Sequence, residues 1–266
     1  ELMKITLITS NQNRHKYLTN LLSNISTELF VIQEKKNFLD SHLNKKKISI
    51  SKLRKNYFKK VVEAENKIFG TNVILEPKIK EIMSIEMGQL NKIPLIELDL
   101  FLKSDIYVIF GSSFLKGELI DFLIKNKALN IHMGVSPYYR GTDCNFWALY
   151  DENPHLVGAT IHYISKGLDS GPILYHAISN DYKDDCFTYT MSTVKSAFVS
   201  LVERIKKKSI FNSEPIIQNR NNEIKYSKKV DFNDQVIQIF LDKKIKLNSK
   251  KFDLNLFKDP FILNSL

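Results

Sequence analysis

Lys4-Ile5-Thr6-Leu7-Ile8-Thr9 decides the fold class. The run is β-branched and nearly free of charge, which reads as a strand buried on both faces. Ser10-Asn11-Gln12-Asn13 follows as a turn, and residues 14–24 carry Tyr17, Leu18, Leu21 and Leu22 at helical spacing. Leu29-Phe30-Val31-Ile32 is a second apolar strand. This β-α-β opening predicts an α/β protein, with a Rossmann-like, mostly parallel sheet and helices on both faces. The turn contains no GxGxxG, so a dinucleotide cradle is disfavoured.

Working outward, residues 34–70 are rich in charge, and Leu53, Tyr57, Val61, Ala64 and Ile68 fall on one helical face. They predict a largely helical insertion covering one side of the sheet. Val73-Ile74-Leu75 reads as a short strand and residues 94–102 as a helix. Asp105-Ile106-Tyr107-Val108-Ile109-Phe110 is a strong buried strand that ends at Gly111-Ser112-Ser113. Helix is expected over 117–125, then a strand at Ala128-Leu129-Asn130-Ile131-His132. Gly158–Ile164 alternates and pairs plausibly with Ile173–Ala177. A long helix covers 187–207. Polarity rises from 209 onward, which places a boundary near 208: one domain over 1–208 and a small C-terminal extension over 209–266.

Composition bounds the possibilities. The 266 residues are 43% hydrophobic and 11% aromatic, as in a globular rather than a disordered chain. No run reaches the roughly 18 apolar residues needed to span a bilayer, and Glu1-Leu2-Met3-Lys4 does not open an apolar stretch of the signal-peptide kind. Cys144 and Cys186 form neither a CxxC nor a metal spacing, so a reducing cytoplasm is the expected location. The net charge of +10 fits a solvated lysine-rich surface. It also fits an anionic partner, either a small phosphorylated compound or RNA.

The chemistry is concentrated in one polar constellation. Asn130 and His132 stand at the carboxyl end of a strand, and Asp169 lies in the loop Ser165-Lys166-Gly167-Leu168-Asp169-Ser170-Gly171. Ligands of open α/β sheets bind outside the carboxyl ends of the strands. An amide, an imidazole and a carboxylate there can polarise a carbonyl, move a proton and orient the ring. Each has an ordinary structural reading alone: a turn cap, a core histidine, a β-turn aspartate. Three converging segments make the catalytic reading the stronger one.

Asn130-x-His132, Ser136-Pro137-x-x-Arg140-Gly141, Gly158-Ala159-Thr160-Ile161-His162 and Leu168-Asp169-x-Gly171 resemble the motifs of the formyltransferase family. Its members use N10-formyltetrahydrofolate and include glycinamide ribonucleotide, methionyl-tRNA and sugar-nucleotide formyltransferases. The specific part covers roughly residues 105–177; an apparent extra residue near Asp151–His155 lengthens one loop. The resemblance implies that Asn130 donates to the oxyanion of the carbonyl under attack. It implies that His132 shares that oxygen and protonates the leaving nitrogen, and that Asp169 orients the ring or takes the amine's proton. The folate would lie on Phe110, Gly111, Ser113, Phe114, Leu115 and Lys116 on one side and Ser165 and Gly167 on the other. Arg140, Gly141, Trp147, Tyr150 and His162 are candidates for the acceptor side, although His162 reads equally well as structural and Trp147 with Tyr150 as core. No metal is expected.

The acceptor is read from what surrounds the core. Methionyl-tRNA enzymes carry a larger C-terminal RNA-binding domain than the 58 or so residues after 208 provide. Gln218 through Phe232, with Tyr226-Ser227-Lys228-Lys229, resembles a segment shared by the tRNA and sugar enzymes. The insertion at 34–70 departs from both groups. These features favour a nucleotide-linked amino sugar as partner, destined for surface polysaccharide of the lipopolysaccharide O-antigen type. The alternative is a methionyl-tRNA formyltransferase-like enzyme with a shortened RNA-binding tail. Nucleic acid and membrane are disfavoured as partners. Related enzymes are often dimeric, so a homodimer is one expectation, with the apolar stretch 254–266 a place for docking.

Overall fold

The computed structural model describes residues 2–35, 51–182, 185–248 and 253–264. Strands β1 (Met3–Thr9), β2 (Ser26–Lys35), β3 (Glu81–Glu86), β4 (Ile106–Ile109) and β5 (Leu129–His132) lie parallel in the order β3-β2-β1-β4-β5. A short strand β6 (Tyr139–Gly141) stands outside this sheet. β7 (Ala159–Tyr163) continues the sheet antiparallel to β5, and β8 (Ile173–Ser179) is antiparallel to β7. β9 (Lys225–Ser227) pairs with β6, and β10 (Phe261–Leu263) adds a parallel edge to β8. Among the described residues the main sheet therefore has eight strands.

Alternation along the central strands divides the core. Ile5, Leu7, Leu29, Val31, Val108, Leu129 and Ile131 face a layer made by α1 (Asn13–Ser23), α2 (Lys52–Phe69) and a later 21-residue helix over 186–206. Ile8, Phe30, Ile32, Tyr107 and Ile109 face the 3₁₀ segment Leu95–Leu102 and α3 (Gly117–Lys125). Strands covered on both sides are mostly apolar, as in a parallel sheet with two covered faces. α4 (Cys144–Tyr150) packs beside the sheet, and α5 (Cys186–Lys206) starts where the Asp185 carboxylate accepts the N–H groups of Phe187 and Thr188.

The C-terminal residues build a third core. Phe232, Ile237 and Phe240, the last two on α6 (Asp234–Asp242), pack with Leu247 and Phe257 around Phe146, Trp147 and Tyr57. Segments on both sides of residue 208 thus share one apolar cluster.

Two details differ from the sequence expectations. Val73–Leu75 is not a strand, and Ile74 is 83% exposed. The edge strand is instead Glu81–Glu86, whose alternating polar residues suit a strand hydrogen-bonded on one side only. Of the insertion expected over 34–70, Glu34 and Lys35 end β2 and Lys52–Phe69 is helical, with the Ser51 hydroxyl accepting from the Arg54 N–H. Residues 36–50 lie outside the described residues, as do 265 and 266 of the terminal apolar stretch.

Candidate active site

β5 positions the first two groups by its two-residue period. Leu129 and Ile131 enter the core, so Asn130 and His132 share the opposite face. Across the antiparallel pair, Asn130 stands opposite His162 and His132 opposite Thr160. Asp169 arrives from the loop joining β7 to β8, with a left-handed backbone (φ 47°). The loop passes so close to β7 that a Cβ at Gly171 would lie 1.7 Å from the Tyr163 carbonyl oxygen. Only glycine fits there.

The three candidate catalytic groups meet. Asp169 Oδ2 is 3.2 Å from His132 Nδ1, and its Oδ1 is 3.8 Å from His162 Nε2. His162 Nδ1 lies 2.8 Å from the Tyr163 carbonyl, which can only accept, so that nitrogen carries the proton. In the neutral ring, His162 Nε2 then accepts from the Asn130 amide at 3.0 Å. This fixes which end of Asn130 is N–H and leaves its second N–H for a ligand. His132 is engaged at both ring nitrogens, since Nε2 lies 3.4 Å from the Tyr139 carbonyl.

The electrostatics follow from burial and pairing. Burial alone would lower the basicity of His132, but the Asp169 carboxylate, with the Cys144 sulfur adding to it, holds its pKa well above the ordinary histidine value. Burial opposes ionisation of Asp169, and the His132 charge overrides it, holding the carboxyl far below its usual range. The pair is an imidazolium and a carboxylate at neutral pH.

These groups open onto a cleft of about 840 Å³, a volume suited to a ligand of folate size. Phe110, Gly111, Ser113, Phe114 and Leu115 line one side, Ser165 and Gly167 another, and Gly141 a third. Gly111 is left-handed (φ 72°), and a Cβ there would meet His15 Cε1 at 2.5 Å. Apolar walls with exposed backbone edges match what a flat pterin needs, and Phe114 is 48% exposed at the rim.

Other predicted residues lie elsewhere. Lys116 begins α3, its N–H donating to Asn91 and its ammonium lying 5.8 Å from the Phe114 ring centroid. Arg140 is buried, with one guanidinium nitrogen on Glu223 (2.9 Å) and another on the Leu168 carbonyl (3.2 Å). Trp147 is a buried part of the third core, with the Lys225 ammonium 4.0 Å from its ring centroid. Tyr150 packs beside it, under Lys243. His162 is fully buried behind Asn130 and acts on that amide rather than on the cleft.

The cleft also holds Arg14, His15, Thr142, Asp143 and Lys229, which sequence reasoning did not single out. Arg14 and His15 follow the turn after β1, so the rule of strand carboxyl ends points to them. Glu34 has no such signal. Its buried carboxylate accepts from the Ser113 N–H (2.6 Å), the Ser113 hydroxyl (2.8 Å) and the Gly88 N–H (2.8 Å). It thereby pins the Gly111–Ser113 wall of the cleft. Among the described residues, no three His, Cys, Asp or Glu side chains gather as a metal site.

Comparison with known proteins agrees with this geometry. Residues 98–205 match the family model described as Formyl transferase. This stretch is similar to formyl transferases. All three candidate catalytic residues fall inside it. A formyltetrahydrofolate deformylase of Bacillus subtilis (strain 168) is 30% identical over 92 residues, or 34% of this chain and 30% of that protein's length. The formyltransferase PseJ from Anoxybacillus kamchatkensis was solved with UDP-4,6-dideoxy-4-formamido-L-AltNAc and tetrahydrofolate. It shares the fold at a TM-score of 0.51 and 16% identity, covering 92% of this chain and 94% of its own. The phosphoribosylglycinamide formyltransferase of Anaplasma phagocytophilum has a TM-score of 0.51 at 16% identity, covering 78% of this chain and 89% of its own. The similar stretch thus runs from before β4 to the last turn of α5 and includes the whole Asn130–His132–Asp169 cluster.

Proposed function

We propose that the protein transfers the formyl group of N10-formyltetrahydrofolate to the amino group of a nucleotide-linked amino sugar. The observation that carries formyl transfer is the meeting of Asn130, His132 and Asp169 at the base of a cleft with an apolar folate-sized side. Phe110, Gly111, Phe114, Leu115, Ser165 and Gly167 would hold the pterin, which brings the reactive formyl group. The free N–H of Asn130 donates to the carbonyl oxygen as negative charge develops there. A donor so placed is worth about 10²–10³ in rate. The buried His132 cation stabilises the same charge from behind. The attacking amine gives up one proton and the departing nitrogen takes one up, while the Asp169 carboxylate, paired with the His132 cation, orients the amine as that proton passes.

Two observations support a sugar nucleotide as acceptor. Lys229 brings positive charge to the cleft, where Arg14 is already paired with Glu65 at 2.8 Å, and a diphosphate group suits such a charge. Likeness to the sugar-nucleotide-bound PseJ extends over 92% of the chain, including the region after 208. We place the activity in the cytoplasm, on a precursor of surface polysaccharide of the O-antigen type, with a homodimer as the working assembly. No helix among the described residues is long and apolar enough to cross a membrane.

The test is a panel of amino-sugar nucleotides incubated with N10-formyltetrahydrofolate and read by mass spectrometry. A gain of one carbonyl unit on at least one sugar is expected. If no sugar reacts while aminoacyl-tRNA or a glycinamide ribonucleotide is formylated, the acceptor is wrong. Formate release without any acceptor would instead indicate transfer to water.

A further inference from the structure

The left-handed backbone at Asp169 has an identifiable support, and part of it comes from beyond the stretch similar to formyl transferases. The Gln218 side-chain NH₂ donates one hydrogen to the Asp169 carbonyl and the other to the Gly171 carbonyl, both at 2.8 Å. Arg140 holds the Leu168 carbonyl at 3.2 Å, and Glu223 holds Arg140 at 2.9 Å. Carbonyls at 168, 169 and 171 are thus all held by side chains. The gripping segment is itself laced to the sheet. Ile216 and Ile173 exchange two backbone hydrogen bonds, of 2.8 and 2.9 Å, just before Gln218. Just after it, Lys225–Ser227 pairs with Tyr139–Gly141, the strand that carries Arg140.

We infer that residues 216–227 form a strap whose Gln218, together with Arg140 on the neighbouring strand held by the strap's Glu223, positions the Asp169 carboxylate against His132. The inference rests on the formyl-transfer reading for its effect on turnover, but not for its effect on the His132–Asp169 pair. Neither side chain touches the reacting atoms. Their effect passes through the Asp169 backbone, because a carboxylate on a loop keeps a 3.2 Å contact only while that loop is fixed. A displacement of about 1 Å in such a group is enough for a 10²-fold loss of rate.

The test compares wild type with Gln218→Met, which keeps the side-chain length and donates no hydrogen bond, and with Glu223→Gln, which loosens Arg140 alone. Gln218→Met is expected to lower kcat by about 10–100-fold, with KM for folate and acceptor within about twofold. Glu223→Gln is expected to do the same more weakly. In parallel, His132 is titrated by NMR in labelled protein without substrates, and its pKa is expected to fall in Gln218→Met as the carboxylate moves away. Unchanged kcat and unchanged His132 titration in both variants would overturn the strap. So would a raised KM with kcat retained, since Gln218 would then be holding a substrate. Because the titration needs no substrate, a wild type inert toward every amino sugar would sink the proposed acceptor and still leave the strap testable.

Discussion

Acidification offers a quantitative test of how the C-terminal residues are joined to the site. His176 on β8 is buried, with Nε2–H donating to the Ser136 carbonyl and Nδ1 accepting from the Lys258 N–H, both at 2.8 Å. Protonating Nδ1 would set N–H against N–H. Burial, opposed only partly by the bond to the Ser136 carbonyl, lowers the pKa from 6.5 to about 4. The folded pKa is depressed, so the unfolded chain takes the proton first as pH falls. The stability this neutral ring contributes is present above pH 6.5 and is lost progressively down to about pH 4. A gap of 6.5 minus 4 pH units at about 1.4 kcal/mol per unit gives a loss of about 3 kcal/mol. The variant His176→Gln keeps a donor for Ser136 and cannot titrate. At pH 7 it should be about 1–3 kcal/mol less stable than wild type, because the Lys258 N–H loses its acceptor. In urea unfolding across pH 7 to 4 the two curves should converge by about 3 kcal/mol, since the carboxylates titrate alike in both. Parallel curves would refute the assignment.

Three further outcomes are expected at the site itself. Asn130→Ala should lower kcat by about 10²–10³ without unfolding the protein, as followed by circular dichroism. Asp169→Asn removes the charge that outweighs burial at His132, so its pKa should fall, and the alkaline limb of the pH–rate profile should move to lower pH. An unmoved limb would mean that His132 is not the titrating group. Glu34→Ala leaves the Ser113 and Gly88 N–H groups without their acceptor and frees the wall of the cleft. It should raise KM for the folate about tenfold or more while KM for the acceptor stays put, at about 1–3 kcal/mol per buried group left unpaired.

Much of the site was legible because its signals are local. Asn130 and His132 sit two apart on a strand, so alternation alone put them on one face. The Gly111 turn, α3 at 117–125 and the long α5 followed from periodicity and helix-stop signals. Arg140 was misleading for a physical reason: an arginine in an active-site loop looks like a ligand group until its carboxylate, Glu223, arrives from 83 residues away. Glu34 and Gln218 were silent for the same reason, as their partners lie 79 and 49 residues distant in the chain. Trp147 read as core or as a pocket wall, and the residues that make it core come from the C-terminal segment.

By itself, the sequence determined the α/β class, the central strands and the amide–imidazole–carboxylate set, since each depends on hydrophobic period or on residues read within a short window. Only the tertiary structure decided which groups face the cleft, how His132 is charged, and that Gln218, Arg140 and Glu34 brace the loops around it. Those properties depend on burial and on hydrogen bonds between distant segments, and neither exists until the chain has closed on itself.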